Sequence, residues 1–200
     1  MRTDTNQKAL TIFRQHPGAL HASQAIRLGI APRTLYALRD AGQLVELSRG
    51  LFQLPETPLR ANADLVQVAL RVPKGVICLV SALAFHGLTT QIPHAVYLAL
   101  PLDAEKPRLT YPPLRLFWLS APVYSAGVEQ HVLDGVTVRM YSREKTIADC
   151  FKFRNKIGLE IALEALKEGL AQGCQPQALL DSARLDRVEK VIHPYLEALL

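Results

Sequence analysis

The sequence lacks a long apolar run. No segment reaches the roughly 18 consecutive apolar residues that a membrane-spanning helix needs. The opening residues, MRTDTNQK, are polar and do not form the apolar segment of a secretory signal. We therefore expect a cytoplasmic protein that does not contact a membrane. Apolar residues still make up 49% of the 200 residues, which suffices for a folded core and excludes wholesale disorder.

Cysteine is scarce. Cys78, Cys150 and Cys174 are odd in number, far apart in the chain and outside any C-x-x-C motif. This usage excludes a disulfide scaffold and predicts reduced thiols in the core. The six histidines are scattered as well, and none has the spacing of a metal-binding pair. We expect no metal site and no cofactor.

Catalytic signatures are also absent. The sequence has no G-x-S-x-G, no P-loop and no G-x-G-x-x-G. A nucleotidyltransferase would need a Gly-Ser turn followed by paired Asp residues that hold magnesium, and the sequence has no such cluster. A restriction-type nuclease would need Glu-x-Lys or Asp-x-Lys downstream of an Asp, and neither tripeptide occurs. We therefore expect a protein that is not an enzyme.

A basic bias is present in two places. The net charge is +5. Residues 1–58 carry 7 Lys or Arg against 4 Asp or Glu, and residues 139–156 carry 6 against 2. Local excesses of cations are compatible with a nucleic-acid partner but do not establish one.

The segment LPETPLRAN, residues 54–62, is the predicted domain boundary. Pro55 and Pro58 disfavour helix there, and the stretch is short and polar. We expect one domain over residues 1–56 and a second over residues 59–200. The predicted fold class is α+β, with an N-terminal winged helix-turn-helix followed by a mixed α/β C-terminal domain that ends in helices.

The first of these domains shows the element order of a winged helix-turn-helix. Apolar spacing predicts three helices, over residues 5–15, 22–28 and 32–41. Two short strands are predicted at residues 44–46 and 51–54. Gly29 is expected to end the second helix, and Pro32 to begin the third. Two helices joined by a short turn and followed by a hairpin are typical of DNA-binding domains.

The third helix carries the candidate DNA-reading residues. Leu35 and Leu38 are three apart and are expected to face the core. The opposite side is small, polar and basic, which suits the major groove of DNA. The predicted DNA-binding residues are Arg33, Thr34, Tyr36 and Arg39 on this helix and Arg49 at the hairpin tip.

The alternative is a protein-interaction module that binds its partner without sequence-specific DNA binding. Three helices and a hairpin can also bind protein, and the two arginines of the third helix can be ordinary solvated charges. Asp40 and Glu46 would repel any phosphate that they faced. The sequence leaves both interpretations open.

The second domain is predicted to be a mixed sheet followed by helices. Strands are predicted at residues 76–79, 95–101, 114–120, 128–135 and 136–142. Helices are predicted at residues 62–71, 81–86, 143–153, 159–171, 176–184 and 187–199. Asp134-Gly135 is a two-residue hairpin signal. Ser81 and Ser142 are the expected caps of the helices that follow them.

The stretch YSREKTIADCFKFRNKIG, residues 141–158, is a candidate partner surface. Lys145, Asp149 and Lys152 are expected to share an outer side of its helix, and Arg154-Asn155-Lys156 to form a basic loop. Phe153 would place an apolar anchor among these charges, as at an interface. An ordinary solvated helix would show the same pattern.

Three stretches of the chain resemble one family. TLYALRDAGQLVELSRGLFQL, residues 34–54, is similar to the N-terminal winged helix of the AbiE-type (AbiEi) abortive-infection antitoxins. SALAFHGLT at 81–89 and YSREKTIADCFKFRNKIGLEIALEALKEGL at 141–170 are similar to two stretches of the same family's C-terminal domain. The three occur in the family's order and span nearly the whole chain.

The resemblance implies a bacterial transcriptional repressor that is also the antitoxin of a type IV toxin–antitoxin system, a form of phage defence. In that family the winged helix binds inverted repeats in its own promoter, and the C-terminal domain counteracts a nucleotidyltransferase-like toxin. We expect two copies on the repeated site, as a dimer or by cooperative binding. The partner or antitoxin surface that the resemblance implies comprises Arg143, Lys145, Lys152, Arg154 and Lys156. One departure is Ala31 before Pro32, where such helices usually carry a capping Ser or Thr.

Overall fold

The structure, a computed structural model, describes residues 2–16, 19–48, 50–55 and 62–200. The chain divides into two compact units. The first comprises Met1–Ala63 with Leu133–Val136, and the second comprises Asp64–Val132 with Thr137–Leu200. The predicted boundary between residues 56 and 59 falls outside the described ranges and stays a prediction.

Within the described ranges the chain forms eleven helices and eight strands. The N-terminal elements are α1 Arg2–Gln15, β1 Leu20–His21, α2 Ala22–Arg27, α3 Pro32–Asp40, β2 Val45–Ser48 and β3 Leu51–Gln53. The next are α4 Ala63–Arg71, β4 Val76–Ile77, α5 Leu79–His86, β5 Val96–Pro101, β6 Leu114–Leu119 and α6 Ala121–Ser125. The last are β7 Val128–Leu133, β8 Val136–Tyr141, α7 Arg143–Lys152, α8 Arg154–Ile157, α9 Leu159–Ala171, α10 Pro176–Leu185 and α11 Glu189–Leu199.

These bounds lie within a few residues of the predicted elements. Three short elements were not predicted: β1, α6 and α8. The predicted basic loop Arg154-Asn155-Lys156 is wrong, because these residues belong to α8. The predicted fold class, α+β, is confirmed.

The first unit packs its helices on a three-stranded antiparallel sheet of order β1-β3-β2. Its core draws Phe13 from α1, Ala25 from α2 and Phe52 from β3. Leu35 and Leu38 of α3 join that core with no exposed area, as predicted. Their burial fixes which side of α3 faces outward.

The second unit is built on a five-stranded mixed sheet of order β6-β5-β4-β8-β7. β4 is antiparallel to β5 and parallel to β8, and β5 is parallel to β6. The core joins Tyr97, Phe117 and Tyr141 of the strands to apolar side chains of the helices that follow. Asp134 and Gly135 have φ values of +53° and +77°, which confirms the predicted two-residue hairpin turn.

The three cysteines are buried and form no disulfide, as the sequence predicts. Burial raises the pKa of the Cys78 and Cys150 thiols well above the usual range, because the thiolate would lose its hydration. Burial also raises the pKa of Cys174 to about 11. All three therefore behave as apolar core side chains.

The prediction that Ser81 caps a helix is wrong. α5 already begins at Leu79, so Ser81 lies inside its first turn. The Ser81 hydroxyl accepts a hydrogen bond from Tyr97 N at 3.0 Å and donates one to Ala95 O at 3.4 Å. This buried side chain therefore fastens α5 to the start of β5.

Ser81→Ala is expected to lower the free energy of unfolding by about 1–3 kcal/mol, because the Tyr97 amide loses its hydroxyl acceptor in the interior. Urea denaturation followed by circular dichroism measures the change. The matched control is Ser125→Ala, which removes an exposed hydroxyl bonded to Ala121 O in α6 and should change stability by less than about 0.5 kcal/mol. Equal effects of the two substitutions would contradict the structural role of Ser81.

Candidate nucleic-acid interface

The helix-turn-helix is shaped by the turn that follows α2. His21 precedes this helix, and the backbone N–H of His21 donates a hydrogen bond to Gln24 Oε1 at 3.0 Å. Gly29 has a φ of +93°, which side chains rarely adopt, and so ends the helix as predicted. Ile30 N–H then donates to Ala25 O at 3.0 Å, and the chain turns into α3.

α3 begins at Pro32 without a side-chain cap. Ala31 has the extended backbone of a capping residue, with φ −65° and ψ 141°, but its methyl group accepts no hydrogen bond. The sequence-based reading of this position is therefore confirmed.

The outer side of α3 presents Arg33 and Tyr36, which are both exposed. Thr34 is only 6% exposed, so the prediction that it shares this outer side is wrong. The reason is helical geometry, because Thr34 lies one turn before the buried Leu38 and therefore on its face. The roles of Arg33 and Tyr36 in DNA binding stay predictions.

Arg39 forms ion pairs with two carboxylates. Its Nε and Nη2 donate to Asp40 Oδ1 at 2.9 and 2.8 Å, and its Nη1 donates to Glu46 Oε2 at 2.8 Å. Hydrogen bonding to Glu46 and then to Asp40 raises the pKa of Arg39 above its usual value. The guanidinium also lies 5.0 Å from the centre of the Tyr36 ring. Three of its N–H groups are thus directed at carboxylates.

The hairpin β2–β3, residues 45–53, is the element that we call the wing. Gly50, at its turn, has a φ of +77° and donates its N–H to Glu46 Oε1 at 2.7 Å. Its carbonyl accepts from Ala22 N at 2.6 Å. Both polar groups of Gly50 are therefore held by neighbouring elements. Arg49, the predicted tip residue, lies outside the described residues.

The second candidate surface, on α7, is partly interior. Ser142 caps this helix as predicted, accepting from Lys145 N at 3.3 Å. Lys145 is 1% exposed, and its ammonium lies 2.5 Å from Asp149 Oδ1 and 3.2 Å from Asp186 Oδ2. The prediction that Lys145 and Asp149 face outward is wrong. Asp186 is 41 residues from Lys145 in the chain, so helical spacing does not reveal this pair. Its carboxylate helps to offset the lost hydration of the buried ammonium.

The other cations of this predicted surface reach solvent to different degrees. Arg143 and Lys156 are exposed, whereas Arg154 is half-buried and donates to Phe151 O at 2.8 Å. Lys152 is 28% exposed and pairs with Asp186 Oδ1 at 3.3 Å. The Lys156 ammonium lies 5.5 and 5.7 Å from the rings of Phe117 and Phe153. The predicted surface thus keeps four of its five members, and its role stays a prediction.

Metal binding finds no support in the parts of the chain that the structure describes. No group of three His, Cys, Asp or Glu side chains there is arranged to hold a metal ion. Among the same residues, no helix has both the length and the apolar character that crossing a membrane requires.

The first unit has the element order of a helix-turn-helix domain with a wing, the class that includes many transcription regulators. Residues 7–55 match the family model described as "Transcriptional regulator, AbiEi antitoxin". The match agrees with the resemblance seen in the sequence, and its residues include α3 and the wing. The matched family is thus one of transcription regulators and antitoxins of abortive infection.

The fold of the whole chain has a known counterpart. The crystal structure of the RV2827C protein from Mycobacterium tuberculosis matches 98% of this chain and 81% of its own, with a TM-score of 0.62 and 14% sequence identity. At that identity the likeness concerns the fold alone. A comparison with curated proteins gave no match.

The buried cluster of Lys145, Asp149 and Asp186 makes stability depend on pH. Burial raises the pKa of Asp149 from 3.8 to about 8, since the Lys145 charge offsets only part of the lost hydration and Asp186 adds repulsion. Asp149 Oδ2 accepts no hydrogen bond within the described structure. Between about pH 4 and about pH 8, the folded protein is therefore expected to hold a proton at Asp149 that the unfolded chain has released.

The free energy of unfolding is accordingly expected to fall as pH rises from about 4 to about 8, the interval between the two pKa values of Asp149. Asp149→Asn should flatten this decline, because an amide does not titrate. Urea denaturation at several pH values measures the slope. Asp181→Asn, which removes an exposed carboxylate paired with Arg184, is the control and should keep the wild-type slope. A decline that persists unchanged in Asp149→Asn would contradict this assignment.

Proposed function

We propose that this chain is an autorepressor that binds repeated sites in its own promoter through α3 and the wing. We propose further that it is the antitoxin of a type IV toxin–antitoxin pair. The observation that carries the proposal is the exposed side of α3, with Arg33 and Tyr36, inside the segment that matches the regulator family. An exposed arginine and an aromatic side chain at the start of such a helix suit base edges and phosphates.

Affinity would come mainly from phosphate contacts and would weaken steeply with salt. Among the described residues no carboxylate pairs with Arg33, so its charge is available to DNA. α3 is nine residues long and covers only a short stretch of a groove. Two copies on an inverted repeat would supply the remaining affinity and specificity, either as a dimer or by cooperative binding.

The antitoxin activity would reside in the second unit and oppose a nucleotidyltransferase-like toxin. Its proposed surface is the exposed part of the α7–α8 patch, comprising Arg143, Lys152, Arg154 and Lys156. The ammonium groups of Lys152 and Lys156 lie 5.9 and 5.7 Å from the ring of partly exposed Phe153, which gives an apolar contact amid positive charge.

A protein-interaction module without sequence-specific DNA binding is the second candidate. The observation that favours it is the pairing of Arg39 with Asp40 and Glu46, which leaves that part of α3 with no excess positive charge. Such a module would bind its partner through the first unit and ignore promoter sequence.

Promoter binding separates the two candidates. The variant Arg33→Ala with Arg49→Ala is expected to bind the promoter duplex at least about tenfold more weakly than the wild type, since each arginine contact with DNA is worth about 1–3 kcal/mol. Fluorescence anisotropy at fixed salt measures the affinity. Arg71→Ala removes an exposed arginine from α4 and should leave binding unchanged. Undiminished binding by the double variant would refute the proposed recognition surface.

Antitoxin activity is tested by growth. When this chain is co-expressed with a neighbouring gene that encodes a nucleotidyltransferase-like toxin, it should restore growth of the host. Arg154→Glu with Lys156→Glu should abolish this rescue, because it cancels the net positive charge of the patch. Lys190→Glu, an exposed reversal on α11, is the control and should still rescue. Full rescue by the Arg154 and Lys156 variant would exclude this surface.

A further inference from the structure

We infer that Arg39 is a positioning residue for DNA binding and not a phosphate contact. It holds the Tyr36 ring on α3 and, through Glu46, the Gly50 turn of the wing in one arrangement. The inference rests on the proposed function, because it specifies how the surface that meets DNA is held together.

The local charge argues against a phosphate contact. Asp40 and Glu46 together bring two negative charges within 2.8 Å of one guanidinium. The positive charge of Arg39 is therefore already offset by neighbouring carboxylates, so an approaching phosphate gains little attraction from it. Asp40 is 67% exposed and lies on the solvent side of the group, which adds to the repulsion.

The contact with Tyr36 gives Arg39 its first positioning role. One face of the Tyr36 ring lies 5.0 Å below the guanidinium carbon of Arg39. The ring also meets Phe52 of the wing edge-on, with centroids 5.8 Å apart and planes at 84°. Phe52 is fully buried and cannot move aside. Tyr36, which is 43% exposed, is thus held between a cation and a core ring.

The link to Gly50 gives Arg39 its second role. Glu46 uses one carboxylate oxygen for Arg39 Nη1 and the other for Gly50 N. Because Ala22 N binds the Gly50 carbonyl, the wing turn is tied to α2 on one side and to α3 on the other. Removing Arg39 would break the hydrogen bond through which Glu46 links the turn to α3.

A charge-matched variant tests this inference. Arg39→Gln with Asp40→Asn removes one positive and one negative charge and so keeps the net charge of the chain, but it removes the stacking on Tyr36 and the bridge to Glu46. We expect it to bind the promoter duplex about five- to tenfold more weakly than the wild type, within the usual range of coupling between contacting residues. Its log affinity should fall with log salt at the wild-type slope. Arg33→Gln is the reference for a phosphate contact and should reduce that slope by about 0.9.

The free protein provides a second readout. Amide exchange at Gly50, followed by NMR without DNA, should be faster in the charge-matched variant than in the wild type, because its acceptor Glu46 loses the hydrogen bond from Arg39. Arg39→Lys keeps the charge but lacks the planar fork that reaches both carboxylates, so it should show the same weakened binding and faster exchange. This second variant preserves the test if the first does not fold.

The outcomes separate this inference from the proposed function. Wild-type affinity in the charge-matched variant, an unchanged Gly50 exchange rate, or a slope reduced as in Arg33→Gln would each overturn the positioning role alone. Failure of the wild-type protein to prefer its promoter would overturn the proposed function, whereas faster Gly50 exchange in the variants would still support the bridge through Glu46.

Discussion

The carboxylate of Glu46 is the constraint on which the candidate DNA-binding surface depends. Its two oxygens join the guanidinium at the end of α3 to the amide at the turn of the wing. α3 and the wing also meet where the Tyr36 ring packs edge-on against the buried Phe52. One acidic residue thus connects the end of α3 to the turn of the wing. Because Arg39 is paired with this carboxylate, the remaining described cation on the outer side of α3 is Arg33.

A similar arrangement of charge occurs in the second unit, with a different consequence. There the ammonium of Lys145 is buried between Asp149 and Asp186 and joins α7 to the end of α10. Breaking a buried pair of this kind leaves an uncompensated charge in the interior, which costs far more than an exposed ion pair contributes. The basic stretch of residues 143–156 is therefore divided: Lys145 and Lys152 pair with Asp186, whereas Arg143 and Lys156 are exposed.

The fold was largely predictable from the sequence because its signals are local. Apolar spacing located the helices, Gly29 and Pro32 located the turn between α2 and α3, and Asp134-Gly135 located the hairpin. The unpredicted elements are short: β1 has two residues and α8 has four, so neither can show a period. The sequence suggests that Ser81 is a cap because its hydrogen-bond partners, Ala95 and Tyr97 at the start of β5, are distant in the chain.

The candidate site was less predictable, because long-range pairing decides which charges are available. Helical spacing places Leu35 and Leu38 inside and Arg33 outside. Thr34 is predicted to bind DNA from the start of the helix, yet its side chain packs on the buried face. Glu46 is recognisable in sequence only as a repulsive charge near DNA, whereas in the structure it binds Arg39. Asp186 carries no local signal at all for Lys145. Opposite charges seven or more residues apart become informative only once the fold brings them together.

The central claim is that α3 and the wing recognise the sequence of the chain's own promoter. The most direct measurement is the affinity of the wild-type protein for that promoter duplex and for a shuffled duplex of the same length and base composition, at one physiological salt concentration. The account predicts a preference of about a thousandfold or more for the promoter. Equal affinity for the two duplexes would contradict it.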